Sequence, residues 1–162
     1  MYGFVVEEIP AQDIQQINVS STKIRTSLLA GEIHAATQFL GYPYFINGTV
    51  VKGDKIGREI GFPTANINPD ETYKLIPKNG VYAVKVVVNE KEYEGMLNIG
   101  NRPTLKGTNE TIEVNIFDFD EKIYGTKIQV KFYERIRDEQ PFENLNELKD
   151  QLNIDKRKTN IF

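Results

Sequence analysis

The run "GVYAVKVVV" (residues 80–88) is short, rich in β-branched and aromatic side chains, and opened by a glycine, the composition of a strand rather than a helix. The same grammar recurs on both sides of it, in "YFINGTVVKG" (44–53), "YEGMLNIG" (93–100), "TIEVNIFDF" (111–119) and "KIQVKFYERIR" (127–137), each separated from the next by turn residues. Regularly spaced strands without intervening helices predict an antiparallel barrel or sandwich.

Outside this region the period changes. From Ser20 to Leu40 the sequence "SSTKIRTSLLAGEIHAATQFL" spaces Ile24, Leu28, Ile33, Ala36 and Phe39 at near-helical intervals, with Ser20 or Ser21 as cap and Gly31 as the break between two helices. At the other end "PFENLNELKDQLNI" (141–154) sets Phe142, Leu145, Leu148 and Leu152 on one stripe, which predicts an amphipathic helix packed on the β unit. The expected organisation is residues 1–40 as the tail of a neighbouring domain and 41–162 as the domain proper.

With 162 residues the chain is long enough for one domain with a substantial core, burying roughly two thirds of its unfolded surface. Twenty basic and 23 acidic side chains leave a net charge of −3, which argues against a nucleic-acid surface driven by phosphate attraction. No cysteine and a single histidine exclude disulfides, thiolate metal sites and multi-histidine sites, so any metal would be a hard ion held by oxygen. The start "MYGFVVEEIPAQDI" lacks the pattern of a signal peptide and nowhere do 18 apolar residues run together, so the expectation is a cytoplasmic protein without a membrane partner.

Chemistry concentrates in "VVKGDKIGREIGFPTANI" (50–67). Gly53, Gly57, Gly61 and Pro63, with Lys55 and Arg58 among them, suit a loop whose backbone approaches an anion closely. The order is not that of a Walker loop. In an extended segment Thr64 and Asn66 point to the same side, so both side-chain oxygens can face one hard cation and its phosphate oxygens. The same residues also read as a Gly/Pro turn whose Thr and Asn cap local backbone. Glu113 alternates with Ile112 and Val114, which puts it on the face opposite the core, either as a base for a bound alcohol or as a solvated strand residue. Arg135 and Arg137 are expected to share a strand face, with Arg137 available to a phosphate or a planar ring. Asp118, Asp120 and Glu121 read as a turn, and His34 as a surface or packing residue.

Taken together, "GTVVKGDKIGREIGFPTANI", "GVYAVKV", "GMLNIGNRPT", "IEVNIFDFD" and "YGTKIQVKFYERIRDEQPFENLNELKDQL" resemble, from Tyr42 to Leu152, the riboflavin kinase domain of the bacterial bifunctional riboflavin kinase/FAD synthetase. The preceding "VSSTKIRTSLLAGEIHAATQFLG" is similar to the close of that enzyme's adenylyltransferase domain, whose S-S-T-x-I-R signature, here Ser20, Ser21, Thr22 and Arg25, touches nucleotide phosphates. The resemblance implies a mainly β fold, a six-stranded antiparallel Greek-key barrel with a C-terminal helix and an N-terminal helical segment. It implies transfer of the ATP γ-phosphoryl group to the ribityl 5′-hydroxyl of riboflavin, giving FMN and ADP with Mg²⁺. Carried over by motif, Thr64 and Asn66 hold Mg²⁺ and phosphate oxygens. Gly53, Lys55, Gly57, Arg58 and Pro63 belong to the loop over the nucleotide, Glu113 is the catalytic base, and Arg137 and Phe142 lie near the flavin ring. Asn115 departs from the histidine many relatives carry in E-x-H. With the rest of the adenylyltransferase domain missing, the chain is expected to make FMN but not FAD. The rival reading is a non-catalytic barrel that binds a flavin or nucleotide.

Overall fold

The structure is a computed structural model that describes residues 20–53, 56–105 and 107–159. Residues 1–19 of the expected N-terminal unit and Lys55 of the expected nucleotide loop lie outside the described residues. Ser20 caps helix α1 (Ser21–Ala30) by accepting a hydrogen bond from the Lys23 amide at 3.2 Å, and Gly31 ends it in the left-handed conformation at φ 80°. Helix α2 (Ile33–Leu40) follows, so the break falls where the glycine predicts. Leu28, Ile33 and Ala36 are buried in the same hydrophobic cluster as the strands that come next.

Those strands are β1 (Phe45–Val51), β2 (Ala65–Pro69), β3 (Gly80–Val88), β4 (Lys91–Thr104), β5 (Gly107–Ile116) and β6 (Lys127–Arg137), with one helical turn, α3 (Ile56–Glu59), between β1 and β2. They close into a barrel in the order β1-β2-β5-β4-β3-β6, every pairing antiparallel. β3, β4 and β5 form a meander and β6 returns beside β3, which is a Greek key. Closure leaves no strand edge open. The interior is filled from alternate positions: Ile46 and Val50, Ile67, Val84, Val86 and Val88, Leu97 and Ile99, Ile112 and Val114, Val130 and Phe132. The residues between them therefore line the outer wall, and Glu113 is one of these.

Helix α4 (Leu145–Thr159) packs on that outer wall, where Leu148 and Leu152 meet Ile60, Phe62, Met96 and Phe117 in a second cluster. The expected stripe needs correction at its start. Phe142 precedes the helix and Leu145 is 46 % exposed, because the buried face runs through Leu148, Leu152, Asp155 and Thr159, one turn later and partly polar. A second correction concerns the two arginines. Along β3 and β6 the register passes from Val81 opposite Arg137 to Tyr82 opposite Arg135, leaving Ile136 as the extra residue of a β-bulge. Paired residues share a face and Val81 and Tyr82 face opposite sides, so Arg135 and Arg137 diverge. Arg135 goes inward against the Tyr82 ring, at 6.0 Å, and Arg137 outward toward α4.

Candidate active site

The register of the barrel lays one row of residues across its outer wall. Val51 pairs with Asn66, Asn66 with Glu113, Glu113 with Asn98, Asn98 with Val81, and Val81 with Arg137. Side chains of directly opposed residues stand about 4.5–5.5 Å apart at Cβ. Each strand of the barrel thus contributes one residue to the row that contains Glu113.

Gly53 and the segment from Gly57 to Asn66 fold tightly against this row. A Cβ on Gly57 would meet the Phe62 carbonyl oxygen at 2.2 Å, and the Phe62 amide donates back to the Gly57 carbonyl at 2.8 Å, so the turn closes on a residue that must be glycine. A Cβ on Gly53 would stand 1.7 Å from Asn66 Nδ2, so the carboxamide of Asn66 occupies the space that the missing side chain leaves. Asn115 Nδ2 donates to the Pro63 carbonyl at 2.6 Å and is buried at 6 % exposure. Asn115 follows Glu113 by two positions on the same face, and through this bond it ties the P-T-A-N loop to the strand that carries the glutamate.

Two cavities adjoin here. The first, of about 290 Å³, is lined by Phe62, Met96, Leu148 and Leu152 as an apolar wall and by Asn98, Arg102 and Glu113 on the barrel face; Gly57, Thr64, Arg137, Glu139 and Phe142 also border it. The second, of about 410 Å³, is bounded by Val50, Pro63, Val114, Ile116, Phe119, Ile123 and Tyr124, with Arg58, Thr64, Asp120, Glu121 and Lys122 as its polar lining. Thr64 is the residue common to both. An apolar slot with a few convergent polar groups is the usual form of a small-molecule site.

Charges in the first cavity are committed to partners. Arg102 Nη2 donates to Glu113 Oε1 in an ion pair. Arg137 forms a fork with Asp155, Nε to Oδ1 and Oδ2 at 3.0 Å and Nη2 to Oδ2 at 2.8 Å, while Nη1 donates to the Asp138 carbonyl at 2.9 Å. Asp155 is fully buried, and Gln151 Nε2 supplies a further donor at 2.9 Å. The Arg137 guanidinium lies 5.8 Å from the Phe142 ring centroid. Of the two roles expected for Arg137, at a phosphate or at a planar ring, the hold of Asp155 and the nearby Phe142 ring favour the second. On the opposite face Arg135 donates to the Asn79 carbonyl and to Asp138, and its guanidinium holds the Asp138 carboxyl below the usual carboxylate range.

Of the residues singled out in the sequence, Glu113, Gly57, Thr64, Arg137 and Phe142 border the first cavity and Arg58, Pro63 and Thr64 the second. Gly53 and Asn66 border neither but meet each other beside Glu113. Among the described residues no three His, Cys, Asp or Glu side chains gather as a metal site. The donors near the junction are the Thr64 hydroxyl and the Asn66 carboxamide, neutral hard oxygens that suit a hard cation whose charge is balanced by phosphate. Asn98, Arg102 and Glu139 carry no mark in the sequence as site residues. Parity along β4 makes Asn98 and Arg102 outward-facing, but only the cross-strand register sets Asn98 opposite Glu113, and only the fold of its side chain brings Arg102, itself opposite Asn109, to the same carboxylate.

The riboflavin kinase (flavokinase) family matches residues 40–162. The chain is 45 % identical over 155 residues to the bifunctional riboflavin kinase/FMN adenylyltransferase of Bacillus subtilis, covering 94 % of this chain and 48 % of that protein. It is 46 % identical over 160 residues to the protein of the same name from Listeria monocytogenes, covering 98 % and 51 %. The chain thus spans about half the length of the curated relatives it matches. A crystal structure from Streptococcus pneumoniae described as a macrolide-efflux protein superposes with a TM-score of 0.89 at 37 % identity, covering 95 % of this chain and 50 % of that one. That description stands apart from the family match and the two curated relatives, which agree with one another.

Proposed function

We propose that the chain, which belongs to the riboflavin kinase family, phosphorylates riboflavin where two of its cavities meet at Thr64. In this reading riboflavin occupies the first cavity, its ring between the apolar wall and the Arg137–Phe142 pair and its ribityl chain directed toward Glu113. ATP occupies the second cavity, its base against Ile116, Phe119 and Tyr124 and its phosphates toward Arg58, Thr64 and the loop containing Gly53, Lys55, Gly57 and Pro63. The observation that carries the reading is that one residue, the threonine of P-T-A-N, borders both cavities, with Glu113 in the first of them.

The chemistry follows from phosphoryl transfer. The ribityl 5′-oxygen forms a bond to Pγ, the bond from Pγ to the bridging oxygen breaks with its electron pair leaving on ADP, and the hydroxyl proton passes to Glu113. A loose transition state asks little covalent help, so alignment dominates. The paired strands β2 and β5 supply that alignment, since Asn66 and Glu113 are direct partners. Thr64 and Asn66 would hold Mg²⁺, which when bound neutralises charge on the phosphate oxygens. Asn115, by holding the Pro63 carbonyl, ties the loop that carries Thr64 to the strand that carries the base.

We propose further that residues 1–40 belong with an adenylyltransferase unit such as the names of the curated relatives imply, and that the enzyme works in the cytoplasm without nucleic-acid or membrane partners. Among the described residues no helix is long and apolar enough to cross a membrane. Incubation of the chain with riboflavin, ATP and MgCl₂ tests the main reading: FMN and ADP should appear in equal amounts. Binding of both ligands without turnover would leave only a flavin-binding barrel.

A further inference from the structure

Among the described residues two cations border the cavity that holds Glu113, and they are not equivalent. Arg137 is locked by the fully buried Asp155 through three hydrogen bonds. Arg102 stands on the outer face of β4, opposite Asn109 and two rows beyond the Asn98–Glu113 pair, and its side chain folds back along the strand to reach the glutamate. Its side chain is 39 % exposed against 17 % for Glu113, so it covers the carboxylate from the solvent side.

We propose that Arg102 is the ligand of the newly formed phosphate, exchanging Glu113 for the 5′-phosphate of FMN as the reaction proceeds. The proposal rests on the kinase reading above. Riboflavin carries no charge at its ribityl end, and before transfer the arginine and the glutamate neutralise each other. Transfer changes both sides of that balance at once. Glu113 gains the hydroxyl proton and loses the charge that Arg102 was compensating, while a phosphate ester approaching two negative charges arises one hydrogen bond away. A guanidinium fork matches phosphate oxygens two at a time. Glu139, held by Asn98 Nδ2 at 3.1 Å on the same wall, adds a second carboxylate that would otherwise repel the product. Arg102 therefore distinguishes the phosphorylated flavin from the unphosphorylated one.

The test is a pair of fluorescence titrations, riboflavin and FMN, in the absence of nucleotide and metal, on the full chain and on its Arg102→Gln and Arg102→Lys variants. Arg102→Gln is expected to weaken FMN about 10- to 100-fold, the range of a lost charge-assisted contact. Riboflavin affinity should stay within about threefold, which also reports that the variant is folded. Arg102→Lys should recover part of the FMN affinity. Unchanged FMN affinity in Arg102→Gln, or equal losses for the two flavins, would overturn the assignment and leave the kinase reading standing. An unaltered chain that binds neither flavin would overturn both.

Discussion

Asn66 on β2 and Glu113 on β5 are direct cross-strand partners, and Glu113 is at the same time the partner of Asn98 on β4. The P-T-A-N loop and the glutamate, far apart in sequence, are therefore fixed by one backbone ladder rather than by two independent loops. Groups that must act on the same atoms within fractions of an ångström are best held in this way.

Glu113→Gln keeps the shape of the side chain and an oxygen for Arg102 but removes the capacity to accept a proton. Turnover should fall by about 10²-fold or more, the usual weight of a positioned base, with ATP affinity nearly unchanged. Steady-state kinetics with a separate nucleotide titration checks this. A variant with near-normal kcat would show that the hydroxyl proton leaves by another route.

Thr64→Ala removes a hydroxyl at the junction of the cavities without disturbing the Gly57–Phe62 turn, whose bonds are made by backbone. Calorimetry should find ATP binding weakened when Mg²⁺ is present and little altered when it is chelated. Identical ATP affinity in the two proteins with Mg²⁺ would remove Thr64 from the metal.

Features that depend on local pattern are legible in the chain itself. Period-two runs mark the strands, Gly31 marks the helix break, and the alternation of Ile112, Glu113 and Val114 puts the glutamate on the outer wall. Features that depend on pairing between distant strands are not. No local pattern tells that Asn98 of β4 faces Glu113, because that is a matter of register, or that the side chain of Arg102, opposite Asn109, folds back to the same glutamate. The two arginines of "ERIR" diverge for a related reason: parity counting assumes a regular strand, and the bulge at Ile136 adds one residue and reverses it. Asn115 reads in sequence as a departure from a family pattern, yet its amide holds the Pro63 carbonyl.

Asp155→Asn should destabilise the chain strongly, since Asp155 is fully buried and its removal as a charge leaves Arg137 without its anion in a site that is 15 % exposed. Breaking a buried pair from one side costs about 3–5 kcal/mol. Because α4 carries Leu148 and Leu152 into the first cavity, where riboflavin is proposed to bind, riboflavin affinity should fall with stability. Urea denaturation and flavin titration together check this. A variant as stable as the parent would mean that the fork contributes nothing to docking α4.

Tyr44 offers a test at alkaline pH. Its hydroxyl donates to the Leu75 carbonyl at 2.7 Å, and burial pushes the phenol from 10.0 up to about 12. The folded-state value lies above the unfolded one, so the contribution of the neutral phenol is whole below pH 10 and is lost as the pH climbs toward about 12. Tyr44→Phe lacks this titration. It should be less stable at neutral pH by about 1 kcal/mol for the lost hydrogen bond, and its urea midpoint should fall less steeply than that of the parent between pH 10 and about 12. Parallel losses in the two proteins across that window would show that the phenol ionises as freely in the fold as outside it, and that its place against Leu75 and Phe132 does not resist the charge.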